Sequence, residues 1–115
     1  MKQSLAKPVA EYVKASNAFD TAAMLSAFKD DALVNDVQRE FWGKAAIKAL
    51  FDKELVGARV KMDVLKVAEH YGDVILTAKI SHEGDAAPVG NPVVLTFYFS
   101  LRDGKISQLI ILQNK

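Results

Sequence analysis

The chain reads as an α+β domain, with helices first, then a run of antiparallel strands, the helices packed on one sheet face. Three observations predict this. Apolar residues recur at helical spacing through the first half, as far as Gly57. Beyond Gly57 the apolar period shifts from the helical repeat to the two-residue alternation of strands. Two such runs, 93–101 and 105–113, are joined by Arg102, Asp103 and Gly104, and Asp-Gly is a hairpin turn signal.

The elements follow in order. Residues 4–17 form a first helix, with Ser4 as a candidate N-cap and Pro8 early enough to be tolerated. Leu5, Val9, Tyr12, Val13 and Ser16 make its buried stripe. Residues 20–28 form a second, capped by Asp20, with Met24, Leu25 and Phe28 as its apolar face. A short strand, "ALVND", follows. Gly43 opens a third helix that buries Ile47, Leu50, Phe51 and Leu55 and is capped by Gly57. Strands are expected over 58–68 and 74–82, separated by the turn "EHYGD". The segment "EGDAAPVGNP", with two prolines and two glycines, must be a loop. There is no internal repeat, linker or low-complexity tract, so residues 1–115 form a single domain long enough to own a core.

The last two strands are apolar on both faces. Val93, Leu95, Phe97, Phe99 and Leu101 point one way; Val94 and Tyr98, with Ile110 and Leu112 on the next strand, point the other. One face covers the helices. The other carries too much apolar surface to stay wet, which predicts a homodimer through the outer sheet face.

Composition narrows the function classes. Half the residues are apolar, a quarter are charged, and the net charge is +1 with no basic block. Neither nucleic acid nor an anionic membrane surface is an expected partner. The absence of cysteine removes disulfides, thiol nucleophiles and zinc–thiolate sites, and His70 and His82 are the only histidines. No metal is expected. No phosphate-cradling glycine loop is present, so no cofactor is expected either. The N-terminal stretch lacks a continuous apolar segment, and no run approaches a membrane span, so the expected location is the cytoplasm.

One stretch carries the chemistry: "DALVNDVQREFWG". An apolar strand ends in Asp36, and Phe41 and Trp42 follow. On its residues alone, Asn-Asp at a strand end is common turn chemistry. The other reading is a carboxylate delivered into an apolar pocket walled by Val34, Phe41 and Trp42, where it would serve as a general base.

The run from the first helix through "AFKDDALVND" to "FWGKAAIKALF" resembles the NTF2-like superfamily, in particular its SnoaL-like and ketosteroid-isomerase-like branch. The resemblance covers essentially the whole chain. It implies a cone: a strongly curved antiparallel sheet wrapped around three N-terminal helices, with a pocket at the open end. It also implies roles. Asp36 matches the branch's general base. Tyr12, 24 positions earlier, matches the first-helix tyrosine of its oxyanion hole. Phe28 stands where the isomerases have a supporting tyrosine. Phe97 stands where they carry a protonated aspartic acid, and Gln113 at a pocket-lining position of the last strand. Without the second acid, an efficient steroid isomerase is not expected, since losing one such donor costs on the order of 10²–10³ in rate. Superfamily members also include cyclases, dehydratases, hydrolases and non-catalytic binding modules, and fold does not fix function.

The remaining candidates are weighed on their own chemistry. Tyr12 is either a core tyrosine with its hydroxyl satisfied at the edge or a donor to ligand oxygen. His82 shares parity with Val74, Leu76, Ala78 and Ile80, which brings it to the pocket mouth as a second acid or base, or leaves it exposed at a strand end. Gln113 is either a ligand-binding amide or part of a fraying terminus. Phe97 and Phe99 read as core and pocket wall, and Arg39 with Glu40 as a solvated loop pair ahead of a catalytic charge pair. The leading expectation is an enzyme-like pocket protein. In it Asp36, with Tyr12 and His82, would act on a small apolar carbonyl ligand held by Phe28, Trp42, Phe97 and Gln113. The alternative is a non-catalytic binding module.

Overall fold

The computed structural model describes residues 6–57, 59–82 and 93–113, apart from the side chain of His82. Ser4 and the loop at 83–92 lie outside the described residues. Helix α1 spans Lys7–Asn17 and α2 Thr21–Ser26; strands β1 (Phe28–Asp36) and β2 (Arg39–Trp42) follow. Helix α3 covers Gly43–Leu50 and passes into a π-helix, Phe51–Val56. Strands β3 (Val60–His70), β4 (Asp73–His82), β5 (Val93–Arg102) and β6 (Lys105–Gln113) complete the chain. All six strands form one curved sheet in the order β2-β1-β6-β5-β4-β3.

The α+β architecture is the one the sequence predicts, with a refinement in the sheet. Every neighbouring pair is antiparallel except β1 and β6, which run parallel. The chain returns from the far edge of the sheet to place its last strand beside its first, and that return sets the parallel direction.

Local chemistry explains most element ends. The Asp20 carboxylate accepts the Ala23 N–H at 3.0 Å and caps α2 as expected. Gly43 opens α3 at φ +83°, a backbone state glycine adopts at little cost. Gly57 ends the π-helix, as expected. Its φ is −61°, but an added Cβ would lie 2.6 Å from the Lys53 carbonyl oxygen. The close approach, not the dihedral, requires glycine there.

Two hairpins turn through left-handed pairs containing glycine, Tyr71-Gly72 and Asp103-Gly104. A third was not expected from the sequence. Strand β2 folds back on β1 through Val37 and Gln38, at φ 49° and 74°. Neither residue favours that region, and a β-branched valine there is strained. The turn is held locally instead: the Gln38 N–H donates to Asn35 Oδ1 and the Val37 N–H to the Ile111 carbonyl, both at 2.9 Å.

The core lies between the helices and the inner sheet face, where Val9, Tyr12 and Met24 meet Val34, Leu76, Phe99 and Leu109. Strict alternation in β6 fails at one point. A bulge opposite Ser100 and Leu101 reverses parity, so Ile106 is fully buried alongside Leu109 and Ile111. The opposite face keeps Tyr98 and Leu112 exposed. Among the described residues no helix is long and apolar enough to cross a membrane.

Candidate active site

Tyr12 and Ser16 stand one turn apart on the buried side of α1, neighbours at the i,i+4 spacing. The end of this helix is pinned to β3 by the Asn17 amide, which donates to the Met62 carbonyl at 3.0 Å and accepts the Met62 N–H at 2.8 Å. The phenol ring of Tyr12 packs against Phe28, Phe51 and Phe99, with centroids 5.5–6.0 Å apart. Tyr12 also lines a cavity of about 170 Å³. Tyr12 is 2 % exposed and Ser16 3 %, and neither hydroxyl has a hydrogen-bond partner among the described residues. Buried polar groups are normally paired, and an unpaired one costs about 1–3 kcal/mol.

The same cavity is reached from the sheet by Asp36, the last residue of β1. Arg39 sits directly across the hairpin, and its Nη2 donates to Asp36 Oδ2 at 2.5 Å. The π-helix brings Glu54 to the same guanidinium, which donates to both of its oxygens, at 2.6 and 3.0 Å. One nitrogen thus holds an oxygen of each acid, and those two oxygens are within roughly 5 Å of one another. The guanidinium also lies over the Phe41 ring, 5.5 Å from its centroid. Asp36 Oδ1 has no partner among the described residues. The walls are apolar and include Leu55, Met62, Ile80, Leu95, Phe97 and Ile111.

Electrostatics follow from this arrangement. Hydrogen bonding to Arg39 holds the Glu54 carboxyl below its ordinary range. The same bonds, from Glu54 and then Asp36, push the Arg39 guanidinium up. Burial, and then the Asp36 charge, push the Tyr12 phenol up, so it remains a proton donor.

The sequence candidates divide. Tyr12, Asp36 and Phe97 converge on the cavity. Phe28 is fully buried in the aromatic cluster and does not line it. Trp42 pairs with Leu33 on the outer face, is 64 % exposed, and donates from Nε1 to Glu40 Oε1 at 3.2 Å. Gln113 has inward parity opposite Leu95 but lies exposed at the strand end. The backbone of His82 pairs with Val60, a cavity residue; its side chain is outside the described set. Arg39 binds Asp36 and Glu54 rather than pairing with Glu40. Ser16 and Glu54 were not singled out by sequence. The helical stripe contained Ser16, a polar residue at a core position, and that was the available signal. Nothing announced the π-helix that turns Glu54 inward. Among the described residues no three metal-ligating side chains gather.

Residues 9–109 match the SnoaL-like domain family, and the chain belongs to it. It is similar in structure to a candidate polyketide cyclase from Sinorhizobium meliloti, at TM-score 0.83 and 29 % identity, covering 93 % of this chain and 94 % of that one. It shares its fold with SalBIII, an epoxide hydrolase/cyclase-like enzyme with a role in pyran ring formation in the polyether salinomycin. That match has TM-score 0.83 and 20 % identity, over 94 % and 88 % of the two chains. A candidate ketosteroid isomerase from Kribbella flavida matches at TM-score 0.79 and 11 % identity, over 96 % and 77 %. No curated protein matches the sequence.

Proposed function

We propose that this protein is a cofactor-independent enzyme of the isomerase or cyclase type, with Asp36 as general base on a small apolar carbonyl ligand. The observation that supports this best is the pairing of a free Asp36 oxygen with the unpartnered Tyr12 hydroxyl in one apolar cavity. The carboxylate would take a proton from the carbon next to the carbonyl. The electron pair left behind moves onto the carbonyl oxygen, where Tyr12 donates a hydrogen bond. The enolate then either regains the proton at another carbon or attacks an electrophilic carbon of the same molecule and closes a ring. Arg39 fixes the Asp36 carboxylate through Oδ2 and leaves Oδ1 for the substrate.

The test is exchange of the α-protons of cyclohexanone in D₂O, followed by proton NMR. Wild type should exceed the buffer rate, and Asp36→Asn should lower the catalysed rate by about 10²–10⁴. A ketone that binds wild type but exchanges only at the buffer rate would support the second reading, a non-catalytic binding module. Phe97 favours that reading, because it offers no proton donor on the wall facing the site.

We also propose a homodimer through the outer sheet face. Trp42, Tyr98 and Leu112 are exposed there, with Leu33, Val94 and Ile110 half-buried between them. Light scattering across micromolar concentrations should give twice the chain mass, and a monomer throughout would rule the dimer out.

A further inference from the structure

We propose that Ser16 is a second hydrogen-bond donor of the site, sharing one acceptor oxygen with Tyr12 on a neutral, single-ring carbonyl ligand. This rests on the carbonyl reading above and extends it to the donor set and the ligand's size and charge.

Ser16 is the one buried polar residue among those described. A serine inside a helix points to solvent or bonds back to a carbonyl one turn earlier. Ser16 makes no such bond, although Ser26 in α2 does, donating to the Ala23 carbonyl at 2.8 Å. Alanine would fill the same place with no hydroxyl to desolvate. Ser16 instead lines the cavity together with Tyr12, and residues one turn apart on one helix face are neighbours, so the two hydroxyls can serve one ligand oxygen. Such a pair supplies what the phenylalanine at position 97 does not.

Charge and volume define the ligand. Asp36 and Glu54, which line the cavity, and the Arg39 guanidinium they share sum to −1. An anionic ligand is therefore disfavoured, and an oxygen that gains negative charge is best held by the hydroxyl donors. The volume of about 170 Å³ is close to that of an engineered apolar cavity of about 150 Å³ that holds benzene, so one ring fits.

The experiment uses ¹³C-carbonyl cyclohexanone and isotope-edited infrared spectroscopy on wild type, Ser16→Ala, Tyr12→Phe and the double variant. Each donor lowers the carbonyl stretch, so each single variant should move it part of the way up, and the double variant further. Affinity should fall about three- to tenfold in Ser16→Ala. Ligand-free Ser16→Ala should melt a few degrees higher than wild type, because an unpaired buried hydroxyl is gone. A stretch that moves in Tyr12→Phe but not in Ser16→Ala overturns the role of Ser16 and leaves the carbonyl reading in place. No bound-ketone band in wild type at saturating concentration overturns both. A Ser16→Ala variant that melts several degrees lower would show that the hydroxyl serves the fold, against the proposal.

Discussion

The inner face of the sheet has two ends that solve opposite problems. At one, Phe28, Phe51 and Phe99 close on the ring of Tyr12, all at or near zero exposure, with edge-on and tilted contacts. At the other, Asp36 and Glu54 line the cavity and share hydrogen bonds from Arg39. The four side chains of the first carry one polar atom, the Tyr12 hydroxyl, and pack ring against ring. The second keeps charges beside apolar walls, an arrangement that stability alone does not favour. Tyr12 and Phe51 belong to both, packed in the aromatic cluster and lining the cavity. The contrast separates a region where polar groups sit beside apolar walls from one where rings interlock.

Deleting a ring should test this most severely. Phe28→Ala removes a fully buried side chain that touches Tyr12 and Phe51, and should destabilise the fold by about 3–5 kcal/mol. Urea denaturation would measure it. A loss below about 1 kcal/mol would mean that the aromatic end does not carry the core. By the same contrast, Asp36→Asn should remove turnover while changing stability by under about 1 kcal/mol, since the carboxylate and Arg39 are both partly exposed.

Tyr12, at the junction, gives a pH-dependent test. Its phenol titrates above the ordinary 10.0 because burial and the Asp36 charge disfavour the phenolate. Above pH 10.0 the unfolded chain releases this proton and the folded chain holds it. The folded state then binds more protons, so stability is fully present below pH 10.0 and falls as pH rises. The slope from this group is at most about 1.4 kcal/mol per pH unit. Denaturation of wild type and Tyr12→Phe at pH 9 to 11 should diverge by that slope, the variant losing less. Parallel curves would place the phenol in contact with water.

The sequence was informative about the packed end and about two residues of the charged end. Helical stripes placed Val9, Tyr12, Ile47 and Phe51 in the core, and strand alternation placed Phe97 and Phe99. Asp36 and Tyr12 were legible because a resemblance fixed their spacing. The rest of the site depends on backbone geometry that composition does not announce. Val37 and Gln38 carry no turn signal, so β2 was not foreseen, and without its register Trp42 could not be assigned to the outer face. Phe28 starts a strand rather than ending a helix, which turns it into the aromatic cluster and away from the cavity. A π-helix looks like an α-helix in sequence, yet its wider turn aims Glu54 at Arg39.

That last pair gives the smallest expected effect and the finest probe of the charged end. Glu54 is held below its ordinary 4.5 by Arg39. A carboxylate with a depressed pKa adds stability that is complete above the unfolded value and is lost as pH falls through the folded one. Wild type should therefore exceed Glu54→Gln in stability at pH 7, and the two should converge on acidification below 4.5. Both partners are more than a third exposed, so solvent screening limits the difference to under about 1 kcal/mol, and it should shrink in 1 M salt. A difference that persists at low pH and high salt would assign Glu54 a packing role in the π-helix. A difference that titrates away would assign it to the charge network that orients Arg39, and through Arg39 the carboxylate of Asp36.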